Sequence, residues 1–167
     1  QILADRVAAG MKQAWEATKK MEISASSIRW RVEPAVLPAA PHLKEADLQA
    51  VVKDAKATPI ERFTAAKKLI WLRRCLAKDP LNIGCLTVGN ARTLYMPGEL
   101  FVEYQLAAQE LRPDLFVCMA AYGDYAAGYI GTEIAYGQGG YETSERASNV
   151  GPAVEKALMD AVKKLLR

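Results

Sequence analysis

Residues 81–121 constrain the fold more than any other part of the chain. "LNIGCLTV" and "RTLYM" read as two strands joined at Gly89-Asn90, a favourable two-residue hairpin turn. Pro97 stops the second strand because it has no N–H to give to the ladder. A helix is expected over 99–111, carrying Phe101, Tyr104, Leu106, Ala108 and Leu111. "RPD" then breaks it, and the apolar run "LFVCMAAYG" has the pattern of a strand covered on both faces. Strand 92–96, helix 99–111 and strand 115–121 thus form a strand-helix-strand unit, and such units are parallel and right-handed in nearly all cases. The expected fold class is α/β, with a mixed sheet containing this unit and helices packed on it.

The first 80 residues read as a mainly helical segment with one strand. Ile2, Leu3, Val7, Met11, Ala14, Trp15, Thr18 and Met21 recur at three-to-four spacing, which predicts an amphipathic helix over 2–22. Over 26–36 the period changes to two. Ile28, Trp30, Val32 and Val36 alternate with Arg29, Arg31 and Glu33, so a half-buried strand is expected, with Pro34 placing it near an edge. Helices are expected within 43–79. The second opens on a capping box, with Thr58 as cap, Pro59 in the first helical position and Glu61 reaching back. A last helix is expected over about 152–166. Residues 1–80 and 81–167 are treated as two parts on this basis.

Composition excludes several function classes. The 167 residues are 51% hydrophobic and 25% charged, which is ordinary for a globular domain and unlike a disordered chain. No apolar run approaches the ~18–20 residues needed to span a bilayer. A net charge of +3, from 22 basic and 19 acidic residues, gives no electrostatic footprint for nucleic acid. The basic residues of "KKLIWLRRCLAK" read as a solvated helix face. Cys75, Cys85 and Cys118 are odd in number and far apart, which suits free thiols better than disulfides or a metal cluster. The single histidine, His42, lies in a loop and reads as a surface residue. The chain opens on Gln1 without a signal peptide and reads as a piece of a longer protein.

The longest stretch without a helical or strand period runs from Tyr122 to Pro152 and holds five tyrosines and seven glycines. A long irregular segment inside a compact domain is usually functional or disordered. It follows the second strand of the parallel pair, as Pro97-Gly98-Glu99 follows the first. In open α/β sheets, ligands bind beyond the carboxyl ends of the strands. Glu99 is then either a first-turn helix acid or a site carboxylate. The tyrosines either staple the loop with their rings or line a site. "GQGG" is no phosphate loop, since it joins no strand to a helix and has no nearby lysine.

Three stretches together, "LNIGCLTVGNARTLYMPGE", "AAYGDYAAGYIGTEIAYGQGGYE" and "ASNVGP", resemble the C-terminal half of the catalytic domain of neutral ceramidases. In that family a strand runs into Pro-Gly-Glu. A Tyr-Ile-x-Thr stretch follows, then Tyr-Glu twelve residues on, then a Ser and a Gly-Pro. Tyr129-Ile130-Gly131-Thr132, Tyr141-Glu142, Ser148 and Gly151-Pro152 match these elements in order. The match covers about residues 81–165. These enzymes are zinc amidases that split N-acylsphingosine into sphingosine and fatty acid.

The resemblance implies roles for three residues. Glu99 matches the family's carboxylate zinc ligand and Tyr129 its tyrosine zinc ligand. Tyr141 matches a tyrosine that helps hold the substrate's amide oxygen. The implied substrate is a lipid-like N-acyl amine, and a secreted or periplasmic parent would suit the family. The family's two zinc histidines precede the Pro-Gly-Glu element, where this chain has only His42 in a different context. The expectation is therefore half a zinc site, completed by a missing N-terminal half of the catalytic domain, in a chain inactive by itself. Such a piece could pair with a second copy through the surface that the missing half would cover. Two other readings stay open: a binding or structural module that keeps the fold without zinc chemistry, and a hydrolase of other N-acyl amines.

Overall fold

A computed structural model of the chain describes residues 1–124 and 127–167. Helix α1 (Ile2–Ala17) and a 3-10 turn (Ala25–Ser27) lead into β1 (Ile28–Ala35). Helices α2 (Glu45–Lys53) and α3 (Pro59–Leu76) precede the hairpin of β2 (Leu81–Val88) and β3 (Ala91–Pro97). The chain continues through β4 (Glu99–Leu100), α4 (Glu103–Leu111), β5 (Phe116–Gly123), β6 (Tyr129–Ile130), α5 (Glu133–Gln138) and α6 (Val154–Leu165).

The main sheet has the order β1-β2-β3-β5. β1, β2 and β3 run antiparallel, and β3 and β5 are parallel. The fold is thus α/β with a mixed sheet. The strand-helix-strand unit is β3-α4-β5, and the hairpin turns at Gly89, whose φ of +57° suits glycine. Helix α3 starts as its sequence dictates, since Thr58 and Glu61 form a complete capping box and Pro59 opens the first turn. The arginines of its last turn complement the negative end of the helix dipole.

The core lies on one face of the sheet. Leu81, Ile83 and Cys85 of β2, Leu94 and Met96 of β3 and Val117 of β5 pack against α4 and α6. Helix α6 carries a clean apolar stripe, with Val154, Leu158, Ala161, Val162 and Leu165 all buried. Trp71 and Leu72 of α3 join the same cluster.

The other face of the sheet reverses part of the sequence reading. The apolar residues of β1 point away from the core, with Ile28 52% and Trp30 56% exposed. The charged alternates face α6 instead. Arg31 donates to the carbonyls of Lys164 and Leu165 at the end of α6, and Glu33 pairs with Lys164. The arginine thereby satisfies carbonyls that a helix end leaves open and complements its dipole. Period-two alternation finds the strand but cannot say which face meets the core. Trp30 lies across Gly84 and meets Tyr95 with ring centroids 5.3 Å apart. A Cβ at Gly84 would come within 2.4 Å of the indole, so glycine makes room for it.

Three further expectations change. β5 is not covered on both faces: it is the outer strand of its sheet, and Phe116 is 65% exposed. Helix α1 ends at Ala17 rather than 22, and none of its residues is buried. The segment 122–152 is not without regular structure, because β6 and α5 lie within it.

Candidate functional site

The site is set by how the chain leaves β3. After Pro97, Gly98 turns with φ +61°, and its N–H donates to the Gly123 carbonyl at 2.8 Å. The Tyr122 N–H donates back to the Gly98 carbonyl at 2.7 Å, so the ends of β3 and β5 are laced together. The chain then steps off the main sheet and pairs with a new partner. Glu99 N–H donates to Gly128 O at 2.9 Å, and Phe101 N–H to Ile130 O at 3.0 Å. The expected placement of Glu99 in a first helical turn is therefore corrected. Glu99 belongs to β4, and α4 begins at Glu103. The reason is the left-handed turn at Gly98, which aims the next two residues along the 128–130 backbone before a helix can start.

β4 and β6 form a two-stranded parallel ladder in which Glu99 is the register partner of Tyr129 and Leu100 of Ile130. Side chains of such partners share a face, on strands about 4.8 Å apart. The Glu99 carboxylate, on the same face as Tyr129, raises the phenol above its ordinary pKa, first by hydrogen bonding to the protonated form and then by its negative charge. The Tyr122 hydroxyl donates to Glu99 Oε2 at 3.3 Å. The ring of Tyr141 stands edge-on to that of Tyr129, with centroids 6.1 Å apart, and Tyr141 is 57% exposed. Glu99, Tyr129 and Tyr141 thus stand together at the carboxyl end of the parallel pair. Tyr125 lies outside the described residues.

The other motif residues hold this cluster in place. Thr132 caps α5, its hydroxyl accepting from the Ala135 N–H at 3.2 Å. The buried Tyr104 hydroxyl donates to the Gly131 carbonyl at 3.0 Å, and burial raises its pKa. Ser148 is almost fully buried. Its Oγ lies 2.8 Å from the Tyr129 carbonyl and 3.1 Å from that of Val150. One hydroxyl proton serves these acceptors, so the Tyr136 hydroxyl, 2.7 Å away, is the donor to Ser148. Asn149 fixes the neighbouring backbone. Its N–H donates to Ala127 O, and its carbonyl accepts from Ala40 N–H and from Trp71 Nε1, each at 2.9 Å.

The single histidine is half-buried rather than on the surface, with Nε2 out of contact with solvent. Burial lowers its pKa, opposed by the Glu145 carboxylate and assisted by Lys68. Glu145 and Lys68, not Glu99, are thus the charges that act on His42. The described residues contain no cluster of three or more His, Cys, Asp and Glu side chains placed to hold a metal ion. Cys85 is buried, and burial pushes the half-buried Cys75 thiol up to about 11.

The backbone turns at Tyr122, with φ +69°, and at Asp124, with φ +26°. The sequence reading missed the contact of the Tyr122 hydroxyl with Glu99. Strained backbone at a non-glycine residue beside a candidate site is a signal visible only in three dimensions. Also missed was a cleft of about 400 Å³ beside Tyr129 and Tyr141, walled by α3 and by Arg146 and Ala147.

Compared with known proteins, the chain matches no family model, and no curated protein or solved structure matches it significantly.

Proposed function

We propose that Glu99 and Tyr129 are two of the ligands of a zinc site in an amidohydrolase acting on N-acyl amines, with Tyr141 as a donor to the substrate's amide oxygen. The observation that carries this reading is the β4–β6 ladder, which makes Glu99 and Tyr129 register partners whose side chains share a face. Oxygen ligands of one zinc, each about 2.0–2.2 Å from it, sit roughly 3–5 Å apart, and side chains of register partners on strands about 4.8 Å apart can meet that separation. Two oxygen donors fit part of a tetrahedral site. The remaining ligands would come from the half of the catalytic domain that the family resemblance places before this chain.

When bound, zinc supplies Lewis-acid polarisation of the amide carbonyl and a water whose pKa falls from ~15.7 towards ~7. The rest is work for this chain's residues. Tyr129 would have to give up its phenolic proton to serve as an anionic ligand, and Glu99, which raises the phenol's pKa, opposes that loss. Tyr122 offers Glu99 Oε2 a second donor, restricting how the carboxylate can turn. Tyr141, exposed and edge-on to Tyr129, would donate where negative charge gathers on the amide oxygen.

A second surface supports a missing half. The outer sheet face presents Ile28, Trp30, Tyr95 and Phe116, and α1 presents Leu3, Val7, Met11 and Trp15, all exposed. Exposed apolar area of this extent is usually covered by a partner. We assign it to the other half of the catalytic domain; pairing with a second copy of this chain would compete for the same face.

In the full-length protein, Glu99→Ala is expected to abolish zinc binding and amidase activity together, by elemental analysis and by fatty acid release from ceramide and short N-acyl amines. Tyr141→Phe should retain the metal and slow turnover at least tenfold. Full metal content in Glu99→Ala would refute the ligand assignment. It would favour the alternative of a module that keeps the fold without zinc chemistry.

A further inference from the structure

The cleft beside the tyrosines has a charge pattern that the zinc reading does not use. One stripe of α3, Lys67, Ile70, Trp71 and Arg74, forms a wall at three-to-four spacing. Lys68 and Arg146 add two more cations, and no carboxylate is among the described residues that line the cleft. Its floor is apolar, and its volume is within the range of small-molecule sites. The whole chain is nearly charge-balanced, so four cations in one lining are a local feature.

The cations are not equally available. Arg74 is tied to Asp79 at 2.9 Å and lies 3.8 Å from Asp124, and Lys68 donates to the Glu145 carbonyl at 3.0 Å. Lys67 sits over the Phe63 ring, 5.6 Å from its centroid. Lys67 and Arg146 are the exposed pair at the mouth. Both candidate tyrosines are in the lining, so a ligand in the cleft lies directly against the proposed reaction site.

We propose that this cleft receives the anionic end of the substrate, so that the favoured N-acyl amine is one carrying a carboxylate close to the amide, as in an N-acyl amino acid. The identity of the amide rests on the amidase reading above; the cleft's choice of an anion does not. An amide held at Tyr129 and Tyr141 would leave a carboxylate a few bonds away within reach of Arg146 and Lys67. Guanidinium suits a carboxylate especially well, through two parallel hydrogen bonds. A neutral N-acyl amino alcohol would leave Lys67 and Arg146 facing an uncharged group.

The test is equilibrium binding to the 167-residue chain without added metal, below the micelle concentration of each probe. N-lauroylglycine, N-lauroylethanolamine and laurate are compared by calorimetry at low salt. The expectation is that N-lauroylglycine binds at least tenfold tighter than the ethanolamide and tighter than laurate. The Lys67→Gln/Arg146→Gln double variant should erase the preference while leaving ethanolamide binding unchanged. Equal affinities for the two amides, binding of none of the three, or a preference that survives the double variant would overturn the anion site. Laurate binding as tightly as N-lauroylglycine would overturn the substrate class, because the amide would then not be read. None of these results depends on zinc, so they stand apart from the metal analysis of Glu99→Ala.

Discussion

Gly98→Ala should disturb the candidate site through both backbone strain and close approach to a neighbouring carbonyl. Gly98 has φ +61°, a conformation that costs an L-residue about 1–2 kcal/mol. A Cβ there would also stand 2.5 Å from the Gly128 carbonyl oxygen, a backbone atom that cannot swing aside. That carbonyl accepts the Glu99 N–H that starts the β4–β6 ladder. Relieving the clash means opening this bond, for about 1 kcal/mol more. The expected loss is about 2–3 kcal/mol, a large share of the ~5–15 kcal/mol that holds a domain together. Gly89→Ala is the internal control, because Gly89 has nearly the same φ, +57°, and nothing within 4 Å of the added atom. It should lose only the backbone strain, about 1–2 kcal/mol. Urea unfolding followed by circular dichroism separates the two: with a slope of ~2 kcal/mol per M, the midpoint should fall by ~1–1.5 M for Gly98→Ala and ~0.5–1 M for Gly89→Ala, the difference being the ~0.5 M of the broken hydrogen bond. Equal shifts would refute the argument that close approach to Gly128, rather than dihedral strain, makes glycine necessary.

The Glu99–Tyr129 pair predicts a titration. Glu99 holds the Tyr129 phenol above its ordinary pKa, because its carboxylate accepts the phenolic proton and its charge opposes a second anion. Glu99→Ala should lower the Tyr129 pKa, read from the tyrosine ring-carbon resonance as pH rises; an unchanged midpoint would mean the two side chains do not interact in solution. Ser148→Ala removes a buried hydroxyl that joins Tyr136 to the Tyr129 and Val150 carbonyls. It should cost about 1–3 kcal/mol by leaving buried groups unpaired. A loss below ~0.5 kcal/mol in thermal unfolding would show that solvent replaces it.

Much of the fold follows from local rules. The hairpin at Gly89-Asn90, the capping box at Thr58 and the parallel β3-α4-β5 unit each rest on a few neighbouring residues, and each is present. What was not legible depends on what packs where. The alternation in β1 gave a strand, but the core-facing side turned out to be the arginine side, because α6 ends there and its last carbonyls need donors. The helix read as starting at Glu99 because Glu and the following residues suit a first turn. The competing interaction was the Gly128–Ile130 backbone, some thirty residues away, and no local pattern encodes it.

That long-range pairing also explains why the tyrosines cluster. Two short ladders are built on glycines whose conformations few other residues tolerate: Gly98 faces the Gly128 carbonyl, and Gly128, at φ +67°, faces that of Ala147. Gly128 further bridges to Ser148, which grips the Tyr129 carbonyl from behind. Tyr129 is therefore fixed through its backbone on two sides, by Glu99's strand and by Ser148, while its hydroxyl remains at a half-exposed edge. Had the rings served only to staple the loop, a buried hydroxyl bonded to backbone, as in Tyr104, would have sufficed. The arrangement instead anchors the main chain and leaves Tyr122 and Tyr129 beside the Glu99 carboxylate, with the Tyr141 ring edge-on to Tyr129. A rigid support carrying accessible polar groups is what a site needs to hold its chemistry within a fraction of an ångström.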